Sequence, residues 1–140
     1  MWSSNNDITQ IVTAYLEKFR KGDCENTYFD LTELGAVAIP SLIEAYHSET
    51  DACVRELLVE VIWQLREPSM IPFLGEALLD EDESVWKQAI DGLVALASVE
   101  AADVLRSARK RKFLRQKDAE EFQGWIDEAI SQVENCTRRA

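Results

Sequence analysis

Two stretches of this chain repeat one another. Ile39-Pro40-Ser41-Leu42-Ile43-Glu44-Ala45-Tyr46 lines up with Ile71-Pro72-Phe73-Leu74-Gly75-Glu76-Ala77-Leu78, so that Ile, Pro, Leu, Glu and Ala recur at an offset of 32. Each stretch leads into an acidic turn and then a longer apolar run. The second runs align at an offset of 31, pairing Val54 with Val85, Leu58 with Ala89, Ile62 with Leu93 and Leu65 with Leu96. The acidic turn therefore reads as one residue shorter in the second copy. A third copy begins at Ala101-Ala102-Asp103-Val104-Leu105. A fixed period constrains a fold more than local propensity does, because each copy must be one supersecondary unit.

That unit is helical. Val54, Leu58, Ile62 and Leu65 share one stripe at a spacing of four, four and three residues, the period of a helix with one buried face. Strand-like alternation is absent. Pro40 and Pro72 disfavour helix just before them and so mark helix starts. The clusters Ser48-Glu49-Thr50-Asp51 and Asp80-Glu81-Asp82-Glu83-Ser84 precede the second helices. There their oxygens can cap exposed N–H groups and favour the helix dipole. A helix pair of about 31 residues cannot bury its own apolar faces, and stacking against like pairs solves this.

The run Leu34-Gly35, Ala38-Ile39-Pro40-Ser41-Leu42-Ile43-Glu44-Ala45, Asp51 and Val54-Arg55 resembles the short HEAT repeats of bilin-lyase-type (PBS lyase-like) proteins. Its second copy keeps Ile71-Pro72, Leu74, Glu76-Ala77, Asp80, Asp82 and Val85. The resemblance covers roughly residues 31–108. It implies an all-α fold, an α-α superhelix or solenoid of about four helix pairs, and it says little of function.

The ends read as caps, which a repeat array needs. Asp7 to Arg20 places Ile8, Ile11, Val12, Tyr15, Leu16 and Phe19 at helical spacing, and residues 25–34 supply a short partner. At the other end Asp118 and Glu121 suggest a helix start. Phe122, Trp125, Ile126, Ala129, Ile130 and Val133 then form an apolar stripe. Thr137 to Ala140 is expected to fray. The chain is thus expected to form one domain over 1–140, with a capping pair at 7–34, repeats at 36–66 and 68–98, and a C-terminal repeat or cap at 100–135.

The net charge of −11 is unevenly spread. Residues 1–105 hold 20 acidic and 6 basic side chains, whereas residues 106–117 hold seven basic ones and no acid. An acidic body repels phosphate backbones and steers basic partners inward. Cys24, Cys53 and Cys136 are odd in number and irregular in spacing, which argues against a disulfide framework and fits a reducing cytoplasm. Residues Met1 to Asp7 lack the basic start and apolar run of a secretory signal, and no run is long enough to cross a bilayer.

Groups for catalysis are scarce. His47 is the one histidine, so there is no imidazole cluster for a metal and no histidine-paired relay. The iron-binding HEAT enzymes that the resemblance brings in use His-Glu steps, and here His47 is followed by Ser48. No glycine-rich phosphate loop is present. Asp80-Glu81-Asp82-Glu83 reads as a solvated capping turn. Neither a metal nor any other cofactor is expected, and nothing marks a pigment site.

The expected role is binding. In HEAT arrays the second helix of each pair lines the concave face. With the aligned positions set as core, Glu56, Glu60 and Trp63 point away from it on one second helix, and Lys87, Asp91 and Val94 on the next. These six form a candidate acidic groove floor. HEAT repeats usually carry a small residue at the place of Trp63, which therefore reads either as an inter-repeat packing residue or as an aromatic anchor beside carboxylates. Trp86 stands where the first repeat has Arg55, a residue that in this family commonly bonds an Asp of an adjacent turn. It is expected to replace that contact by packing.

The rival surface is the basic stretch Arg106, Arg109, Lys110, Arg111, Lys112, Arg115 and Lys117. It reads first as a solvated segment paired with acidic neighbours, then as a docking patch, and last as a nucleic-acid site, which would favour a basic face and a high pI. The leading expectation is a cytoplasmic, non-enzymatic module, monomer or weak dimer, that binds a basic protein. One version is an immunity or inhibitor protein against a toxin. Nucleic-acid binding through 106–117 and a bilin-lyase-like enzyme subunit are the alternatives.

Overall fold

The computed structural model describes residues 5–138. Among them are eight α-helices and two short 3-10 turns. They form two compact units that join between Glu67 and Pro68.

The first unit holds α1 (Asn5–Arg20), α2 (Cys24–Glu33), α3 (Ile39–Ser48) and α4 (Ala52–Gln64). Gly22 takes a φ of 105° in the turn between α1 and α2, a conformation that suits a residue with no Cβ. Gly35, at φ 77°, opens the 3-10 turn Ala36–Ala38 that leads into α3. Pro40 lies in the first turn of α3, as its missing N–H allows. Asp51 caps α4, its carboxylate accepting the Cys53 N–H at 2.8 Å.

Packing follows the repeat. α1 pairs with α2 and α3 with α4; first helices then stack on each other, α1 on α3, and second helices likewise, α2 on α4. Val12, Leu16, Leu31, Leu42, Val54, Leu58 and Ile62 fill the interior. Burying each large aliphatic side chain stabilises by roughly 1.5–3 kcal/mol. Thr27 is fully buried in α2, where its hydroxyl donates to the Asp23 carbonyl at 2.6 Å. Thr9 of α1 and Ser41 of α3 share a hydrogen bond of 3.0 Å.

The second unit repeats this plan with α5 (Ile71–Ala77), α6 (Glu83–Leu96), α7 (Val99–Ala108) and α8 (Gln116–Arg138). α5 pairs with α6 and α7 with α8, while α5 stacks on α7 and α6 on α8. Leu74, Val85, Ala89, Leu93, Leu105, Phe122, Ile126 and Val133 are its core. Asp82 caps α6 through the Ser84 N–H at 3.0 Å, and Ser98 caps α7 through the Ala101 N–H at 3.1 Å.

Several details differ from the sequence expectation. The missing residue of the second repeat comes out of the helix and not the turn: α5 has 7 residues against 10 in α3, and its connection to α6 is the longer one. Asp80 builds that connection by accepting the Asp82 N–H at 2.9 Å, a side-chain turn that competes with helix. Leu65 and Leu96, placed in the core stripe, are half-buried at helix ends. α8 starts at Gln116, ahead of Asp118, and remains helical through Thr137 and Arg138. Residues 139 and 140 of the expected frayed tail, and Met1 to Ser4 of the N-terminal reading, lie outside the described residues.

Trp125 departs most. The last-helix stripe was expected to bury it, yet it is 42% exposed while Phe122, Ile126, Ala129, Ile130 and Val133 are buried. At about 100° per residue Trp125 lies a quarter-turn off the centre of that stripe.

Candidate functional site

The six expected groove residues divide between the units, with Glu56, Glu60 and Trp63 on α4 and Lys87, Asp91 and Val94 on α6. In the first unit the stacking of α2 on α4 gives Glu56 and Glu60 company the sequence did not predict. They line a cleft of about 480 Å³ together with Phe19, Glu25, Tyr28 and Leu57. Leu57 is its buried floor, Phe19 and Tyr28 are half-buried, and Glu25 stands exposed at the rim. Cys24 and Cys53 open onto the same cleft. Burial, and secondarily the charge of Glu60, push the Tyr28 phenol above its ordinary pKa. Trp63 is half-buried, with the Arg66 guanidinium 5.9 Å from its ring centre.

In the second unit Lys87 forms ion pairs with Glu83 on its own helix and with Glu121 of α8, the latter at 3.6 Å. Its ammonium also lies 4.7 Å from the centre of the Trp125 ring. The hydrogen bond from Lys87 is the main cause that lowers the Glu83 carboxyl and raises the Lys87 ammonium. Trp125 with Gly124, Glu120, Glu121 and Glu128 outlines a hollow of about 390 Å³. Asp91, one turn beyond Lys87, is an exposed residue, but partial desolvation by the surrounding protein raises its carboxyl. Val94 is half-buried. The second-unit face is thus aromatic and acidic, with one lysine folded onto the ring.

The basic stretch separates into three kinds of residue. Arg106 pairs with Asp103 at 3.0 Å and Glu134 at 3.6 Å, Arg109 with Asp127 at 3.1 Å, and Arg115 with Asp118 at 3.0 Å. Arg111 is half-buried and donates to the Leu78 carbonyl at 2.6 Å. Its guanidinium lies 4.5 Å and 5.1 Å from the rings of Phe113 and Phe122. Desolvation lowers its pKa, opposed by the charge of Asp80. Lys110, Lys112 and Lys117 are exposed and form no ion pair among the described residues. Beside them Leu114 is completely exposed.

Trp86 is 5% exposed and meets Phe122 edge to face, with ring centres 5.0 Å apart, so packing does replace the arginine contact. Among the described residues no group of three or more His, Cys, Asp or Glu is disposed to hold a metal ion, and no helix is long and apolar enough to cross a membrane.

Stacked helix pairs, prolines in the first turns and aspartates capping the second helices define a helical-repeat protein. A family model for HEAT repeats matches residues 39–121, more than half of the chain, and the chain belongs to that family. No curated protein and no solved structure matches it at a significant level.

Proposed function

We propose that this chain is a non-catalytic module that binds a basic partner protein, with Trp125 as the anchor and carboxylates around it. HEAT repeats generally mediate protein–protein interaction, and the family is typically a scaffold. The observation that carries the finer reading is the pose of Lys87. Its ammonium lies 4.7 Å from the Trp125 ring centre and 3.6 Å from Glu121. Ring and carboxylate together form a cation site that the chain fills with its own lysine. A partner's lysine or arginine would meet the remaining exposed part of the ring, with Glu120 and Glu128 beside it. Glu56 and Glu60 in the first unit offer a second acidic face with an aromatic neighbour, Tyr28.

The concrete version is an immunity or inhibitor protein that occludes a basic toxin enzyme in a reducing cytoplasm. The net charge of −11 suits it, since long-range attraction speeds capture of a basic enzyme. So do three exposed free thiols. Repeats of the short, bilin-lyase-type length serve here as scaffold.

Affinity capture from the native host, followed by titration of the captured protein, tests this. A basic protein is expected, and Trp125→Ala should weaken it by about 30-fold or more, the scale of an aromatic hot spot. Undiminished affinity in Trp125→Ala and in the Glu121→Lys, Glu128→Lys double variant would overturn the reading. So would capture that nuclease abolishes.

A further inference from the structure

The loop between α7 and α8 and the cleft between α2 and α4 are chemical complements. The loop presents Leu114, completely exposed, among Lys110, Lys112 and Lys117, which form no ion pair among the described residues. Of the carboxylates that border this loop, Asp118 pairs with Arg115, Glu83 and Glu121 share Lys87, and Glu81 stands beside them. The loop itself, residues 109–115, carries five cations and no carboxylate around one apolar apex. The cleft has the opposite plan. Its floor is Leu57, its walls are Phe19 and Tyr28, and its rim carries Glu25, Glu56 and Glu60. Its volume of about 480 Å³ has room for a leucine side chain.

We infer that a second copy of this chain is the occupant, and that Leu114 of one molecule docks in the α2–α4 cleft of the next. Three lysines then face three glutamates around a leucine on an aromatic and aliphatic floor. The two surfaces differ, so the contact is head-to-tail and leaves each molecule with one unused loop or cleft. One loop in one cleft covers far less than the roughly 800 Å² per partner of a stable complex, and like net charge opposes the approach. The association is therefore weak and grows with concentration. The inference goes beyond the proposed partner site and uses neither Trp125 nor its carboxylates, so either can fail alone.

Sedimentation equilibrium on the full chain tests it, with the protein itself as probe. The wild-type mass is expected to climb above 15.9 kDa with concentration into the millimolar range. Leu114→Asp, at a position with no burial to lose, should remain monomeric. The double variant Glu56→Lys, Glu60→Lys should also remain monomeric, with circular dichroism confirming its fold. Mixed in equal amounts, the two variants should form a dimer and nothing larger, because one supplies only the cleft and the other only the loop. A wild type that is monomeric throughout, variants that associate like the wild type, or a mixture that remains monomeric would each overturn the inference.

Discussion

The same repeat position holds Arg55 in the first unit and Trp86 in the second, and the two solve different problems. Arg55, early in α4, donates to the Thr50 carbonyl at 2.9 Å and the Glu49 carbonyl at 3.4 Å. It braces the turn that precedes its own helix, where carbonyls left over at the end of α3 lack helical partners. Trp86 carries no such charge and packs inward on Phe122. The turn before α6 still needs a donor, and Arg111 supplies it across 33 residues of chain by bonding the Leu78 carbonyl. The requirement thus belongs to the turn and not to the position. Once a guanidinium arrives from elsewhere, the position is released for apolar packing. The larger buried aromatic group then ties α6 to α8.

Breaking the aromatic side of this comparison should have the largest effect. Trp86→Ala is expected to cost about 3–5 kcal/mol in denaturant unfolding, the range for emptying a buried aromatic site. Trp86→Arg should be no milder, because the guanidinium would be buried against Phe122. A Trp86→Arg protein as stable as wild type would show that the two repeats are interchangeable here. Arg111→Met comes next, at about 1.5–3 kcal/mol, since it leaves the Leu78 carbonyl without a charged donor. Arg55→Met should cost about 1 kcal/mol, because water reaches its turn more readily. If the last two were reversed in size, bracing from a distance would be the weaker device.

The smallest effect concerns Asp91, whose aligned counterpart at the offset of 31 is Glu60 of the first repeat. Desolvation raises the Asp91 carboxyl in the folded chain. As the pH falls from neutral, the folded state takes up this proton before the unfolded state does, so the group's contribution turns toward folding; at neutral pH it is a small cost. Asp91→Asn should therefore raise the melting temperature slightly at pH 7, and the difference from wild type should shrink on acidification. A difference that grows on acidification would contradict the assignment.

The architecture was legible because its causes are local. The Ile-Pro starts, the caps Asp51 and Asp82 and the matched stripes each depend on residues a few positions apart. The binding faces were legible only in part. A helical wheel placed Glu56, Glu60, Lys87 and Asp91 off the core, yet it could not supply Tyr28, which α2 brings to α4. Nor could it show that Lys87 is held by Glu121 and Trp125 of α8. Trp125 was misplaced because hydrophobicity suggested burial where its angle on α8 set it at the edge of the stripe.

By itself, the sequence determined that helices pair and stack, because a spacing of 31 or 32 residues leaves each pair with an apolar face that only a like pair can cover. It also determined where α3 to α6 begin, since proline and aspartate act on the backbone beside them. Tertiary structure alone decided which charges remain available. Arg106, Arg109 and Arg115 meet carboxylates, Arg111 turns inward to a carbonyl, and Lys110, Lys112 and Lys117 remain in solvent around Leu114. A run of cations carries no record of its partners, because those lie on neighbouring helices and are set by packing.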